Sequence, residues 1–357
     1  MCYINKYIYT SNFNKFILMK ILVTGGSGFL GAEIIKKLTS RGFKVSNLDL
    51  ISNNNNNIQN FQIDILDKNN LELVFKNNNF DIVIHSCAKV PISNSNKNFN
   101  EVNVLGTKNV LELTKKYKVG RFVYISSSAV YGLPNKTPIK EDDIRKPVEL
   151  YGFSKKEGED LCLSEMKNTN IGIVRPRTVI GGDRLGIFSI LFEWIKSDLP
   201  VPVLNNGNNL YQFIDVDDLA EAICLTGLSK YVGSLNIGSN SFTSIRDILT
   251  RLIKHNSSNS IIKNLDSSLL FNFLKLCIKY NIVPLKEYHY LAYGKDIYFD
   301  TSLSKKVLNW EPSISNFESL NNSYNNFINK KNVNLENQAV HRKPLKSLIL
   351  KYASNFL

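Results

Sequence analysis

The segment that most constrains the fold of this chain is residues 21–31, Ile-Leu-Val-Thr-Gly-Gly-Ser-Gly-Phe-Leu-Gly. A short apolar run leads into Gly25, Gly28 and Gly31, and a helical pattern then continues to Gly42. Gly25 allows a sharp turn, Gly28 lets a phosphate approach the backbone, and Gly31 lets the helix pack closely on the strand. Strand, glycine turn and helix in this order predict a phosphate cradle at the positive end of a helix dipole.

An acidic residue follows the second predicted strand at the spacing that a dinucleotide site requires. Residues 45–48 are predicted to form a second strand that ends in Asp49, 18 positions after Gly31. A carboxylate about 20 residues after the glycines binds the adenosine ribose 2′-hydroxyl, which NAD has and NADP lacks. The sequence therefore predicts NAD as the cofactor. The open alternative is a strand, turn and helix with a structural role alone.

Strands and helices alternate along the first half of the chain. The next predicted strands lie at residues 61–65, 81–85, 121–126 and 171–175, with helices over 100–118 and 149–167. This alternation predicts an α/β fold, a Rossmann-type doubly wound parallel sheet, with a smaller C-terminal substrate lobe. Five consecutive asparagines at residues 53–57 predict a disordered loop tip.

Changes in composition predict four segments. Residues 1–18 lack the apolar core of a secretory signal and are expected to form a disordered extension. The other three are an NAD-binding Rossmann domain at 19–176 with returning segments at about 213–240, mainly a substrate-binding lobe at 177–330, and a basic amphipathic tail at 331–357.

Net charge and cysteine content limit the partners and the compartment. Of the formal net charge of +13, residues 1–18 carry +2 and residues 330–357 carry +5, so the body is only mildly basic. Such a body suits an anionic cofactor or substrate, and no basic and aromatic nucleic-acid module is visible. Five widely spaced cysteines argue against a disulfide framework or a metal site and predict a cytoplasmic protein.

Two apolar segments bear on membrane contact. No apolar run reaches the roughly 18 residues of a membrane span. Residues 267–285 predict a packed lobe helix, with a lipid-facing surface as the alternative. Residues 345–357 form an apolar helical stripe beside Lys346 and Lys351. Docking of this tail on the body or a partner, and peripheral contact with an anionic membrane, both stay open.

Two groups of polar residues could carry chemistry. The predicted strand at 121–126 ends in serines at the carboxyl edge of the sheet, where α/β folds bind ligands. Tyr151 and Lys155 stand four positions apart, so on a helix they share a face. Free tyrosine has a pKa near 10, and an adjacent ammonium with a cationic nicotinamide would favour its phenolate. Tyr151 would then take an alcohol proton while hydride leaves the same carbon, and Lys155 could bond the nicotinamide ribose.

In this order the motifs resemble the extended short-chain dehydrogenase/reductase family, of the NAD-dependent epimerase/dehydratase type. The resemblance spans about residues 20–328 and includes Asn103-Val104-Leu105-Gly106-Thr107, Arg175-Pro176 and residues 213–219. It implies that Ser127, Tyr151 and Lys155 are catalytic and that Ser128, Arg177 and Arg184 bind substrate.

The resemblance also implies a set of cofactor contacts. They are Gly25, Gly28, Phe29 and Leu30 at the pyrophosphate, Asp49 at the ribose, Asp64 and Ile65 at the adenine, Cys87 and Ala88 beneath the cofactor with Lys89 close by, and Tyr151 with Lys155 at the nicotinamide end. His85 is expected to be a structural residue at a strand end. The resemblance further suggests a homodimer built on the helices near residues 103–118 and 151–167.

Departures from the family pattern narrow the reaction. Sugar-nucleotide dehydratases have Thr-Asp-Glu where this chain has Ser127-Ser128-Ala129, so 4,6-dehydration is not expected. UDP-galactose 4-epimerases have an asparagine and an arginine where this chain has Thr178 and Tyr211. The usual UDP-sugar contacts are therefore altered, and Arg175, Arg177, Arg184 or Arg246 could replace them. For Arg175 the alternative is a structural role.

Three functions remain in view from the sequence. The leading hypothesis is an NAD-dependent sugar-nucleotide epimerase or a related oxidoreductase that acts on a secondary alcohol by hydride transfer. The alternative is a 3β-hydroxysteroid-dehydrogenase-like enzyme on a lipid or isoprenoid alcohol, motivated by the apolar segment 267–285 and the tail. A non-catalytic dinucleotide sensor is a third hypothesis, but such relatives usually lose the tyrosine or the lysine, and both are present here.

Overall fold

A computed structural model describes residues 19–91, 98–182, 188–265 and 294–329 of the chain. Four sequence-based predictions fall outside these ranges: the extension 1–18, the substrate-binding role of Arg184, the apolar helix 267–285 and the tail 331–357. The part of the chain that is described contains no helix long and apolar enough to cross a membrane.

The fold begins with the strand, turn and helix that the glycines predict. Strand β1 spans Lys20–Thr24, helix α1 spans Phe29–Ser40 and strand β2 spans Lys44–Asp49. The two strands pair in parallel, with Ile21 opposite Val45. Helix α1 ends just before Gly42, whose positive φ of 83° turns the chain back toward the sheet.

The remaining elements continue the alternation. They are β3 Gln59–Gln62, α2 Lys68–Asn77, β4 Ile82–His85, α3 Thr107–Lys116, β5 Arg121–Ile125, α4 Leu150–Glu165, β6 Ile171–Pro176, β7 Thr178–Ile180, α5 Phe188–Lys196, β8 Val201–Leu204, β9 Phe213–Asp215, α6 Val216–Leu228, β10 Gly233–Ile237, α7 Ile245–His255, β11 Ile262–Leu265, α8 Ser302–Leu308 and α9 Asn316–Asn329.

Seven of the described strands form one parallel sheet, in the order β10-β6-β5-β4-β1-β2-β3. Alternate side chains of β1 enter different cores: Ile21 and Val23 pack with α1 and α6, whereas Leu22 packs with α2, α3 and α4. Helices therefore cover both faces of the sheet, and the predicted doubly wound Rossmann-type fold is confirmed.

A third hydrophobic cluster lies beyond the sheet and joins α5, α7 and α9 to strands β8 and β9. Two short parallel pairs, β7 with β9 and β8 with β11, frame this cluster. A fourth cluster contains Val130, Tyr131, Ile139, Ile297 and Phe299. It brings residues 297–299 against the segment that follows β5.

Three local predictions were wrong in detail. The third strand ends at Gln62 rather than at residue 65, because Asp64 accepts a bond from Leu66 N at 2.9 Å and turns the chain. The helix predicted over 100–118 opens as a π-helical segment, Glu101–Gly106, and α3 then ends at Lys116. The asparagine loop at residues 53–57 was predicted to have a disordered tip. It is instead held by side-chain hydrogen bonds, including one from Asn53 Nδ2 to Gly26 O at 2.7 Å.

Candidate active site

The glycine loop between β1 and α1 is closely packed at Gly25 and Gly31. Gly25 has φ of +72°, and a Cβ there would lie 2.7 Å from the backbone of Cys87. A Cβ on Gly31 would lie 2.1 Å from Gly25 O. Both positions exclude a side chain, so β1, β4 and the start of α1 meet as closely as backbones allow.

Gly28 is open by comparison. It is the N-cap residue of α1, with no side chain capping the helix, and a Cβ there would meet only Gly25 O, at 3.2 Å. The first backbone N–H groups of α1, which include those of Phe29 and Leu30, therefore face the loop without a side-chain cap, at the positive end of the helix dipole. This cradle fits a pyrophosphate, which supports the predicted contacts of these residues with a dinucleotide.

Asp49 ends β2 beside the same loop. One carboxylate oxygen accepts a hydrogen bond from Ser27 N at 3.1 Å, and the other accepts one from Ile51 N at 3.4 Å. Asn47 donates to Ser27 Oγ at 3.0 Å and so supports the loop from the strand. The structure therefore places Asp49 next to the phosphate cradle, as the spacing predicted.

The residues predicted to contact the adenine and the underside of the cofactor follow the ends of β3 and β4. Asp64 follows β3, while Ile65 is buried against the position of Gly106 and its carbonyl accepts from Asn109 Nδ2 at 3.0 Å. Cys87, after β4, contacts Gly25, and burial raises the pKa of its thiol to about 12. Ala88 is half-buried next to it.

Asn103 fixes the chain at Lys89. Its side chain accepts from Lys89 N at 2.8 Å and donates to Lys89 O at 3.0 Å. It also lies 2.9 Å from Ser154 Oγ on α4. One side chain of the π-helical segment thus joins the end of β4 to the helix that carries Tyr151.

His85 is a structural residue in this arrangement. Its ring nitrogens hydrogen-bond Thr24 Oγ1 at 2.7 Å and Thr107 Oγ1 at 2.9 Å, and the ring is fully surrounded. Burial, with a smaller contribution from the charge of Lys155, lowers the pKa of His85 to about 3. The imidazole is therefore neutral at physiological pH and ties β4 to β1 and α3.

The serines after β5 form a tight turn at the carboxyl edge of the sheet. Ser127 is the N-cap of a short 3₁₀ helix, Ser128–Tyr131, and its Oγ accepts from Ala129 N at 3.2 Å. Because that bond uses an acceptor lone pair, the Ser127 hydroxyl hydrogen stays available to another oxygen. Ser127 and Ser128 are half-buried, between the buried Ser126 and Ala129.

Helix α4 carries Tyr151 and Lys155, and its first turn lies against this edge, where a Cβ on Gly152 would be 2.7 Å from Ala129 O. Glu149 caps the helix by accepting from Tyr151 N at 3.0 Å and Gly152 N at 2.8 Å, which fixes where the helix begins. The ring of Tyr151 lies edge-on to Phe99, with centroids 5.9 Å apart. Lys155 follows one turn later on the same helix.

Lys155 reaches across to β5. Its ammonium donates to Ile125 O at 2.8 Å and lies 5.0 Å from the centroid of the Tyr124 ring. The side chain is only 3% exposed, and burial lowers the pKa of Lys155 to about 8. Since Ile125 is two residues before Ser127, the structure brings the predicted lysine and the serine turn to the same strand end.

Arg175, on β6, belongs to a buried structural network. Its guanidinium donates to both carboxylate oxygens of Glu159, at 2.9 and 2.8 Å, to Tyr131 Oη at 2.7 Å and to Glu141 O at 2.8 Å. Arg145 donates to the same carboxylate at 3.0 Å. Because Glu159 lies on α4, this network ties the helix of Tyr151 and Lys155 to the sheet.

Arg177, two residues later, has a different environment. Its Nη1 donates to Ser128 Oγ at 3.0 Å, and its guanidinium carbon lies 4.9 Å from the Tyr211 ring centroid and 5.6 Å from that of Phe299. The side chain is 2% exposed, and Nε and Nη2 have no acceptor among the described residues. Thr178 bonds the hydroxyl of Tyr211 at 3.0 Å.

Sequence reasoning missed several residues that shape this site. Glu149, Glu159 and Phe299 were not singled out, and Asn103 was noted only as part of a motif. An acid just before the helix of Tyr151 was a capping signal that could have been used. Phe299 had no such signal, because it reaches the site through tertiary packing alone.

Comparison with known proteins finds a matching family model and related sequences. Residues 21–238 match the model of the "NAD dependent epimerase/dehydratase family". The chain is 35% identical to an uncharacterized protein of Sinorhizobium fredii, y4nG, over 94% of this chain and 85% of that protein. It is 35% identical to a protein of Methanocaldococcus jannaschii with the provisional name UDP-glucose 4-epimerase, over 66% of this chain and 81% of that one.

A solved structure shows the same fold. The UDP-glucose 4-epimerase of Thermotoga maritima, determined with UDP-glucose, superimposes with a TM-score of 0.70. The alignment covers 87% of this chain and 99% of that protein, at 23% sequence identity. At this identity the likeness concerns the fold.

Proposed function

The chain belongs to the NAD dependent epimerase/dehydratase family, and on that basis we propose that it epimerises a nucleotide sugar at a secondary alcohol. The observation that carries the proposal is the meeting of three groups at one sheet edge. The uncapped glycine loop follows β1, the serine turn follows β5, and Lys155 reaches from α4 to Ile125. The relatives' names point to C4 as the reacting carbon.

The family is NAD dependent, and the loop fits this cofactor. Gly25, Gly28, Phe29 and Leu30 would hold the pyrophosphate, and Asp49 the adenosine ribose. The adenine would lie near Asp64 and Ile65, with Cys87, Ala88 and Lys89 beneath the cofactor. When bound, NAD supplies a reversible hydride acceptor.

The protein's own residues would handle the proton and the substrate. Tyr151 would take the proton of the reacting hydroxyl and return it after the sugar carbon has been re-reduced from its other face. The Lys155 ammonium would favour the phenolate form of Tyr151. Ser127 would hold the reacting oxygen, with the hydroxyl hydrogen that its bond from Ala129 N leaves available.

The neighbourhood of the serines would set the reaction type and the substrate. Ser128 and Ala129 stand where an acid pair would drive 4,6-dehydration, so we propose that elimination does not occur. Family membership alone does not decide this, because the family's description covers dehydratases. Arg177 is proposed to bind substrate. The apolar segment 267–285 and the tail, which motivated the steroid-type alternative, lie outside the described residues.

Assembly, location and domain boundaries complete the proposal. We propose a cytoplasmic homodimer that uses α3 and α4, and a substrate-binding role for the segment after residue 176. The same role is proposed for Arg184, outside the described residues. Contact of the tail with a membrane is retained as part of the proposal.

A turnover assay tests the function. Purified protein with NAD is incubated with a panel of UDP-sugars and then with sterol-like alcohols, and products are separated by chromatography while absorbance at 340 nm is followed. The proposal expects a new UDP-sugar epimer without net NADH. Net NADH would indicate a dehydrogenase instead, and turnover of sterols alone would contradict the substrate class.

A further inference from the structure

A network of buried polar side chains connects the glycine loop to Tyr151. Each member is hydrogen-bonded to the next, and none is more than 1% exposed. In order, the members of this His85 network are Thr24, His85, Thr107, Asn103 and Ser154. The network begins one residue before Gly25 and ends at Tyr151 O, which accepts from Ser154 Oγ at 2.8 Å. It therefore joins the strand that leads into the phosphate cradle to the proposed proton carrier.

The hydrogen bonds around His85 all run in the same direction. The Thr107 hydroxyl donates its single hydrogen to Asn103 O at 2.8 Å, so Thr107 Oγ1 accepts from His85 Nε2. The neutral imidazole then has no hydrogen on Nδ1, and Thr24 Oγ1 donates to that nitrogen at 2.7 Å. The neighbours of His85 thus select one tautomer and one orientation of its ring.

The last two members connect the network to the first turn of α4. Asn103 Nδ2 donates to Ser154 Oγ at 2.9 Å, and the Ser154 hydroxyl donates to the carbonyl of Tyr151. The bonds between Arg175 and Glu159 hold the same helix about two turns later. The turn that carries Tyr151 therefore has an attachment of its own, and a shift of that turn would move the tyrosine ring.

Apolar side chains could have filled the space around His85. Its ring stacks against those of Phe122 and Tyr124, at centroid distances of 5.9 and 6.1 Å, and both belong to the hydrophobic cluster under α2, α3 and α4. A buried polar group is costly unless its bonds are made, and apolar packing often stabilises a core as well or better. A fully bonded polar network instead fixes the orientation of the groups that it joins.

We propose that His85 is a positioning residue for Tyr151. Through Thr107, Asn103 and Ser154 it sets where the first turn of α4 lies relative to the glycine loop. The inference rests on the proposed function, in which Tyr151 carries the proton of the reacting hydroxyl. A misplacement of about 1 Å can lower turnover about 100-fold, even when the substitution is far from the reacting atoms.

The wild-type protein provides the first test. The four histidines of the chain are labelled with ¹⁵N, and the NAD-saturated protein is examined by NMR at neutral pH. The signals of His85 are assigned from its contacts with the rings of Phe122 and Tyr124. The expected result is a neutral imidazole with its hydrogen on Nε2. A hydrogen on Nδ1 would reverse the direction of the bonds and overturn the proposal.

Two threonines of α3 provide a matched pair of variants. Thr107 and Thr114 are both buried, and each donates to the carbonyl four residues earlier at 2.8 Å, but Thr107 also bonds His85. Thr107→Val should shift the ¹³C signal of the Tyr151 ring and slow epimer formation about 10- to 100-fold. The affinity for NAD should stay within a few-fold of wild type, because the bond between Thr24 and His85 remains.

Conservative and control variants separate positioning from stability. Thr107→Ser keeps the hydroxyl and should restore most of the rate. Thr114→Val breaks the same kind of bond within α3 and should leave both the Tyr151 signal and the rate unchanged. Tyr labelled with ¹³C gives the signal, and Tyr151→Phe assigns it.

A second pair of variants serves if Thr107→Val does not fold. Ser154→Ala removes the last hydroxyl of the network and should also shift the Tyr151 signal and slow the reaction. Ser164→Ala is its control, because Ser164 is exposed near the end of α4 and donates to Leu161 O at the same 2.8 Å. This control should change neither the signal nor the rate.

The outcomes distinguish this inference from the proposed function. Equal effects of Thr107→Val and Thr114→Val would indicate an ordinary structural role and overturn the proposal, and so would an unshifted Tyr151 signal in Thr107→Val or in Ser154→Ala. A Tyr151 signal that responds to these two variants, in a protein that epimerises no UDP-sugar, supports the positioning role and contradicts the epimerase proposal alone.

Discussion

Replacing Lys155 with methionine tests the charge buried at the centre of the proposed site. Burial lowers the pKa of Lys155 to about 8, against about 10.4 for lysine in an unfolded chain. A pKa difference of 1 corresponds to about 1.4 kcal/mol, so keeping this lysine charged costs the folded state about 3 kcal/mol. Methionine has a similar length and no charge, and it removes that cost.

The cost depends on pH in a defined direction. Below pH 8 the lysine is charged in both states, and the full cost is present. Between about pH 8 and 10.4 the unfolded chain binds more protons than the folded protein, so the stability of wild type rises with pH. At about pH 9.5 the remaining cost is about 1 kcal/mol. The stability of Lys155→Met relative to wild type should therefore fall by about 2 kcal/mol between pH 6.5 and 9.5.

Urea unfolding at several pH values measures this difference. The loss of the bond to Ile125 O shifts the free energy of unfolding by the same amount at every pH, so the slope isolates the charge. Lys156→Met is the control, because Lys156 is partly exposed and pairs with Asp160 on the surface. A flat difference for Lys155→Met between pH 6.5 and 9.5 would refute the account, and so would wild-type turnover in this variant.

Three other substitutions test separate parts of the structure. Glu159→Gln should lower the free energy of unfolding by about 3–5 kcal/mol, because it leaves Arg175 buried and unpaired; a loss below about 1 kcal/mol in urea melts would argue against the network. Gly31→Ala should abolish NAD binding in a calorimetric titration, since its Cβ would lie 2.1 Å from Gly25 O, and wild-type affinity would mean that the loop is looser than described. Asp49→Ser should reduce the NAD-over-NADP preference by roughly 10-fold or more, and an unchanged ratio of dissociation constants would remove Asp49 from the ribose site.

Features that depend on short-range spacing could be predicted from the sequence. The glycine triplet, Asp49 and the Tyr151–Lys155 pair are set by the local geometry of a turn, a strand end and a helix face. The parallel sheet followed from alternating apolar runs, because buried strands between helices need apolar residues on both faces. Strand and helix ends were less predictable, as the turn made by Asp64 shows.

Features that depend on tertiary packing could not be predicted. Arg175 lies on β6 and Arg177 lies between β6 and β7, and nothing in the local pattern says that one meets Glu159 and the other Ser128. The ring of Phe299 reaches Arg177 from 122 positions away in the chain. Only the folded arrangement separates Arg175, which pairs with Glu159, from Arg177, which has no carboxylate partner among the described residues.

Isotope retention at the reacting carbon tests the central claim most directly. A UDP-sugar deuterated at C4, chosen from those the panel shows to be turned over, is converted by the NAD-containing protein in ordinary water, and the product is examined by mass spectrometry and NMR. The account predicts that the epimer keeps its deuterium, that no net NADH accumulates, and that Tyr151→Phe forms product at least about 100-fold more slowly. Loss of the deuterium to solvent would contradict hydride transfer at this site.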